Sequence, residues 1–294
     1  MIKQTLFFAN PARLSLRNKQ IVISPKDLND EITRPIEDVG CIVLEDQETN
    51  ITLPLLSELA ANNVAVVFCD NKHMPSSMLM PLSSNSTQGE SIKWQFAASE
   101  PCKKQAWKQI IEAKIRNQAA VLDWCGAGGS VLRQFYQNVK SGDSDNREGL
   151  AAKAYWPRLL GAAFKRDSDG EPPNAMLNYG YTILRAATAR ALLGSGLMPC
   201  VGIFHRNRYN AFPLADDVME AYRPFIDAIV LKLCEEGKTE LTTETKSKII
   251  RVLNCDVKMG DMRRPLMIAL SMTTASLAKM FAGESKKLTL PEYI

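Results

Sequence analysis

The sequence has no CxxC pair. Its seven cysteines, Cys41, Cys69, Cys102, Cys125, Cys200, Cys234 and Cys255, are odd in number and scattered, which argues against a disulfide framework or a structural zinc site and leaves buried, reduced thiols as the expectation. A bilayer-spanning run is missing too. The longest nearly uncharged stretch, "ALLGSGLMPCVGIF" (191–204), is interrupted by Gly194, Gly196 and Pro199, whereas a transmembrane helix needs about 20 apolar residues. The opening "MIKQTLFFANPARLSLR" carries neither a secretory apolar core nor a small-residue cleavage site, so a cytoplasmic protein with no membrane partner is expected. "GAGGS" (126–130) lacks the Lys-Ser/Thr ending of a phosphate loop. "DSDNRE" (143–148) is not a calcium loop, because Arg147 stands at a ligand position and the required glycine is absent. Histidine is scarce: only His73 and His205 occur.

What is present reads as two domains. A chain of 294 residues with 46% hydrophobic content is long enough for two ordinary cores. Residues 1–90 hold 7 basic and 11 acidic side chains, a balance of −4, and the remaining 29 basic and 21 acidic residues give +8. A polyanion is therefore expected on the C-terminal part. The first 83 residues read mainly as strands. Leu14 and Leu16 alternate with polar residues, "RNK" (17–19) turns, and Ile21 and Ile23 resume the alternation, a hairpin pattern. Strands follow at 41–45 and 64–70, with a helix over 52–63 between them. The Ser-, Asn- and Gly-rich run "MPLSSNSTQGES" (80–91) marks a boundary. Beyond it the periodicity becomes helical, at 101–124, 147–165, 176–196, 213–236, 242–254 and 263–281. The expected fold is α+β: a small β-rich N-terminal domain (1–83), a linker (84–98) and a larger all-α domain (99–294).

One stretch concentrates chemistry. "HRNRYNAFPLADDVME" (205–220) holds His205, Arg206, Arg208, Asp216, Asp217 and Glu220. Pro213 suits a first helical turn, and acids there suit the helix dipole without any metal. Asp217 and Glu220 stand three apart and share a helix face, while Asp216 lies four from Glu220, so either aspartate can join the glutamate. His205 follows an apolar run and a loop can return it over the acidic helix start. Imidazole with carboxylates suits manganese or a similar divalent ion better than calcium. A further carboxylate is available in Glu148, for which Asp145 as N-cap with Glu148 at N3 is a competing, purely local explanation. His73 lies in a turn without a comparable cluster.

The motifs "ITLPLLSELAANNVAVVFCDNKHMP", "KIRNQ" (114–118), "REGLAAKAYW" (147–156), "LNYGYTILRAATARALLGSGLMP" and "GIFHRNRYNAFPLADDVMEAYRPF" occur in order over essentially the whole chain. Together they resemble the CRISPR-associated integrase family, the "protein one" subunit of spacer acquisition, most closely its type II branch. The resemblance implies a β-rich domain that dimerises and a helical catalytic, DNA-binding domain. It implies Mn2+ or Mg2+ held by Glu148, His205 and Glu220, with Asp217 as a supporting or second-metal acid. The implied reaction joins the 3′-hydroxyls of short prespacer DNA to the repeat array by transesterification, and the implied partners are double-stranded and branched DNA, a homodimeric second copy, a bridging dimer of CRISPR-associated protein two and further type II adaptation factors. Lys153, Arg206 and Arg208 adjoin the implied ligands and are candidate phosphate contacts. Lys103, Lys104, Lys108, Lys246, Lys248 and Arg251 are candidate backbone tracks, with solvated helix faces as the alternative. Two other functions need less: an architectural DNA-binding subunit without catalysis, and a metal-dependent nuclease of branched DNA.

Overall fold

The computed structural model describes residues 3–26 and 30–294. The chain divides into two units, Met1–Ser84 and Asn85–Ile294. In the first, β1 (Gln4–Phe8), β2 (Ala12–Arg17), β3 (Gln20–Pro25), β4 (Ile32–Pro35), β5 (Val39–Leu44), β6 (Asn50–Ile51), α1 (Leu53–Ala61), β7 (Ala65–Cys69) and β8 (Pro75–Leu79) follow one another. They form two four-stranded sheets, ordered β1-β5-β7-β8 and β4-β3-β2-β6. The hairpin is the expected one: Leu14 faces Ile23 and Leu16 faces Ile21. Its two-residue turn places both Asn18 and Lys19 at positive φ, the geometry whose twist matches that of paired strands. Strand β5 is buried along its whole length because it lies between parallel neighbours β1 and β7, which removes any need for polar alternation. Leu14, Ile21, Ile42, Val66 and the α1 residues Leu55 and Leu59 close one apolar core.

The second unit begins where a linker is expected by composition. Residues Gln88–Ala97 instead form helix α2. The serine-rich run overlaps only the first four residues of this helix, and Gln95 is buried within it. The unit continues through α3 (Glu100–Trp124), α4 (Arg133–Tyr136), α5 (Arg147–Leu160), α6 (Asn174–Gly194), α7 (Pro213–Met219), α8 (Arg223–Glu235), α9 (Thr243–Ile250), β9 (Asp256–Met259), β10 (Met262–Pro265) and α10 (Leu266–Phe281). The C-terminal unit is therefore helical with one inserted hairpin, a correction to the all-α expectation. Met259 pairs with Met262, and Gly260 supplies the positive φ of the turn between them.

Long α3 runs through the interior, with Trp107, Ile110, Ile111, Ile115 and Leu122 buried. Ser99 caps it by accepting a hydrogen bond from the Cys102 amide. Helix α6 packs closely against α8, because a Cβ at Gly180 would lie 2.5 Å from Ile226 Cγ2. Side chains of α5, α6 and α8 meet at Asp227, whose carboxylate accepts from Tyr155 Oη at 3.0 Å and Tyr181 Oη at 2.5 Å. Burial, only partly offset by these two donors, pushes the Asp227 carboxyl up to about 6. Among the described residues no helix is long and apolar enough to cross a membrane.

Candidate active site

Asp217 of α7 is fully buried, and its carboxylate gathers the incoming chain. The amides of Ile203 (2.5 Å) and Phe204 (3.0 Å) donate to Oδ2, and the amide of His205 donates to Oδ1 at 3.1 Å. The His205 ring closes the arrangement with Nδ1 2.6 Å from Oδ1. An ionised carboxylate only accepts, so Nδ1 carries the proton and Nε2 is left as the ring's lone-pair donor. The hydrogen bond to Asp217 raises the imidazole pKa against the opposing effect of burial, and the charges of Asp217 and Glu220 add to the rise. Trp107 supports the same loop, stacking on Phe204 with ring centres 4.2 Å apart and meeting His205 edge-on. Gly202 is required by close approach: a Cβ there would fall 2.7 Å from the His205 carbonyl oxygen and 3.1 Å from Asp217 Oδ2. Gln95 of α2 fastens the start of the segment, donating to the carbonyls of Met198 and Val201 and accepting from the Met198 amide.

After Met219 the helix tightens into a single 3-10 turn, Glu220–Tyr222, and Asn117 holds that turn by donating to the Ala221 carbonyl at 2.8 Å. Glu220 is thereby directed inward, with its side chain 3% exposed. Its Oε1 meets Arg223 at 3.0 Å, and its Oε2 lies 2.5 Å from the Lys114 ammonium. The same ammonium donates to Glu148 Oε1 at 2.5 Å. Burial works against charge at Glu220, but Arg223 and then Lys114 outweigh it and hold the carboxyl below its ordinary range. At Lys114 burial is likewise the largest influence, and Glu220 and Glu148 together overcome it, so its pKa is raised. Glu148 and Glu220 thus converge on one cation, and Glu220 is close enough to His205 for each to shift the other's titration.

These surroundings fit a divalent ion. Two carboxylates already share a positive charge, and Glu220 Oε2 is a buried oxygen whose near partner is the cation itself. The imidazole is oriented through Nδ1 by a carboxylate, the usual outer support of a metal-bound histidine. Among the described residues no three His, Cys, Asp or Glu side chains form a ready-made coordination group; Lys114 stands between the two glutamates.

Two expected local roles are corrected. Asp145 does not cap α5; it pairs with Arg147 at 2.8 Å. The cap is Asn146, which accepts from the Gly149 amide, while Asp143 accepts from the amides of Arg147 and Glu148. Asp216, read from the sequence as an acid suited to the helix dipole or able to join Glu220, has other partners. Arg185 holds it through two hydrogen bonds of 2.6 and 2.9 Å, and Asn210 donates to it at 2.7 Å, so this acid joins α7 to α6.

Of the basic residues, Lys104, Lys153, Arg206, Arg208 and Arg251 are exposed and Lys103 is half-buried. Arg206 pairs with Glu100 at 3.0 Å, Arg208 lies over the Tyr209 ring, Lys108 faces Glu112 at 3.6 Å and Lys248 meets Glu236 at 2.7 Å. Lys246 is corrected as an outward-facing track: it is buried, with its ammonium 5.6 Å from the centre of the Tyr179 ring. Lys114 is what sequence reading missed. Its spacing from Ile110, Ile111 and Ile115 puts it on the apolar face of α3, and a lysine at such a position was the available signal.

The family model for CRISPR associated protein Cas1 matches residues 6–254. The chain belongs to the Cas1 family. A relative from Neisseria meningitidis serogroup C (strain 8013), the "CRISPR-associated endonuclease Cas1", is 38% identical over 299 residues, covering 100% of this chain and 97% of its own length. Among solved structures, a casposase bound to integration product has a TM-score of 0.80 at 22% identity, covering 100% of this chain and 95% of that one. A Cas6-RT-Cas1–Cas2 complex has a TM-score of 0.71 at 19% identity, covering 98% of this chain and 36% of that one. This Cas1-family chain thus aligns over its whole length with a relative named as a CRISPR-associated endonuclease.

Proposed function

We propose that this protein is the catalytic subunit of CRISPR spacer acquisition, a divalent-metal-dependent DNA integrase that joins the 3′-hydroxyls of short prespacer DNA to the repeat array. The observation that carries this reading is the convergence of Glu148 and Glu220 on a single cation position, with an oriented imidazole close by. Mn2+ or Mg2+ held by Glu148, Glu220 and Nε2 of His205 would polarise the scissile phosphodiester and stabilise the charge on the reacting oxygens. In the transfer, the 3′-oxygen of the incoming strand attacks phosphorus and the repeat strand leaves with its own 3′-oxygen. One phosphodiester replaces another, so neither an external energy source nor a covalent protein intermediate is needed.

The chain's own side chains have separable tasks in this reading. Asp217 keeps the proton on Nδ1 and fixes the ring plane, and Arg223 offsets the buried charge of Glu220. Arg206, Arg208 and Lys153 hold the DNA phosphates on either side of the reacting bond, and their exposure leaves them accessible. The β-rich unit serves homodimerisation, and a dimer of CRISPR-associated protein two bridges two such dimers in the cytoplasm, with type II adaptation factors joining them. The Cas2-containing complex among the structural neighbours supports the bridging partner, and the casposase with its integration product supports strand joining.

The test is an integration assay with Mn2+, a short duplex and a repeat-containing plasmid, run with and without the partner subunit. Glu148→Ala, His205→Ala and Glu220→Ala are each expected to abolish joining while leaving DNA affinity roughly intact. Near-normal joining by His205→Ala would remove the metal assignment. Because the Neisseria relative is named an endonuclease, hydrolysis is the second reading, and cut products without joined ones would favour it.

A further inference from the structure

The interior of the C-terminal unit contains a cation that the chemistry proposed above does not use. Lys114 lies on the buried face of α3 with its side chain 10% exposed, and its ammonium touches Glu148 and Glu220 at 2.5 Å each. The two acids come from different elements, α5 and the turn after α7. No covalent or backbone link sets their separation. Left alone in a low-dielectric interior, two ionised carboxylates this close repel each other strongly.

We propose that Lys114 is the built-in cation of the metal-free site: its ammonium holds Glu148 and Glu220 together until a divalent ion takes both carboxylates. The inference rests on the metal-dependent reading above. Charge balance supports it. Glu148 and Glu220 are matched by Lys114 and Arg223, so with Asp217 the metal-free cluster carries one net negative charge. A divalent ion entering with both cations retained turns that to one net positive charge, a field that attracts a phosphodiester. The bonding at Glu220 supports it as well. Arg223 engages Oε1, whereas Oε2 has the Lys114 ammonium as its near partner, so the oxygen facing Glu148's cation depends on that one movable cation. Lysine is the residue suited to such a task. Its ammonium is a point charge on a flexible stem that can withdraw, whereas a guanidinium would clamp carboxylates with a rigid fork.

The experiment uses the full-length protein stripped of metal, as wild type, Lys114→Met and Lys114→Arg, with thermal unfolding and calorimetric Mn2+ titration as readouts. Without metal, Lys114→Met should unfold several degrees below wild type, and saturating Mn2+ should close most of that gap. Its Mn2+ affinity should be about tenfold tighter than wild type, and that of Lys114→Arg about tenfold weaker. If Lys114→Met does not fold, the comparison of Lys114→Arg with wild type decides alone. Equal Mn2+ affinity in all folded variants, or a stability gap that Mn2+ leaves unchanged, overturns the role of Lys114 while leaving the metal site standing. A wild type that binds no Mn2+ removes both the metal reading and this inference.

Discussion

Among the described residues, the N-terminal unit buries aliphatic side chains with Glu45 as their charged companion, whereas the C-terminal unit buries Lys114, Asp143, Arg190, Asp216, Asp217, Glu220, Asp227 and Lys246. Buried charge is costly unless partners compensate it, and in the C-terminal unit they do so by type. Asp216 has Arg185, Asp217 has three amides and an imidazole, and Asp227 has two tyrosines. Glu220 has Arg223 on one oxygen and, on the other, a cation that it shares with Glu148. The contrast shows where stability ends and chemistry begins. An apolar core has no reason to hold charge, and a helical unit that holds this much points to its site by the two acids that share a single cation.

The largest test of that contrast is Asp217→Ala. It strips the partner from three amides, one of them buried, and from the His205 ring, and is expected to lower stability by about 3 kcal/mol and weaken Mn2+ binding by about 10–100-fold, read by urea unfolding and metal titration. Leu59→Ala acts on the other side of the comparison. It opens a cavity in the β-rich core and should cost about 2–4 kcal/mol, with joining per folded molecule unchanged. A chemical defect in Leu59→Ala would show that the two units are not separable in this way.

Gly202→Ala is expected to cost about 1–3 kcal/mol and to lower Mn2+ affinity, because the new methyl displaces the carbonyl of His205 and the carboxylate of Asp217. The pH response of His205 sharpens the picture further. Its folded pKa is raised, chiefly by the hydrogen bond to Asp217, so its contribution to metal-free stability is fully present below the ordinary value of about 6.5. That contribution is lost as pH rises through the raised value. Mn2+ binding needs the neutral ring and runs oppositely, weakening as pH falls through the same raised value. His205→Gln should flatten both profiles. The smaller expected effects are Asn146→Ala, about 1 kcal/mol from the lost cap of α5, with joining retained, and Asp145→Ala, which should cost less because its contact is one half-buried pair with Arg147.

Much of the architecture was legible in side-chain spacing. Alternation at Leu14, Leu16, Ile21 and Ile23 identified the hairpin, and the apolar stripe from Trp107 to Leu122 identified α3, because each pattern records which face meets the core. The hairpin β9–β10 was not legible: its strands are four residues each and sit between two helical patterns. Helix α2 was hidden by the serine- and asparagine-rich run before it. At the site, the crowding of histidine and acids in 205–220 was visible, but the division of labour among Asp216, Asp217 and Glu220 was not. One turn of helix separates them, and only partners on α3, α6 and the 203–205 segment distinguish them.

By itself, the sequence determined the class of the protein: an α+β chain with a β-rich start and a helical remainder, bearing a cluster of acids after an isolated histidine in the pattern of the Cas1 family. Those properties depend on local periodicity and residue order, which a linear chain records directly. Only the tertiary structure decided that Lys114 lies between Glu148 and Glu220, that Asp217 orients His205, and that Asp216 belongs to Arg185. The reason is physical. A buried charge takes its role from its partners, and here those partners come from separate segments that only folding brings together.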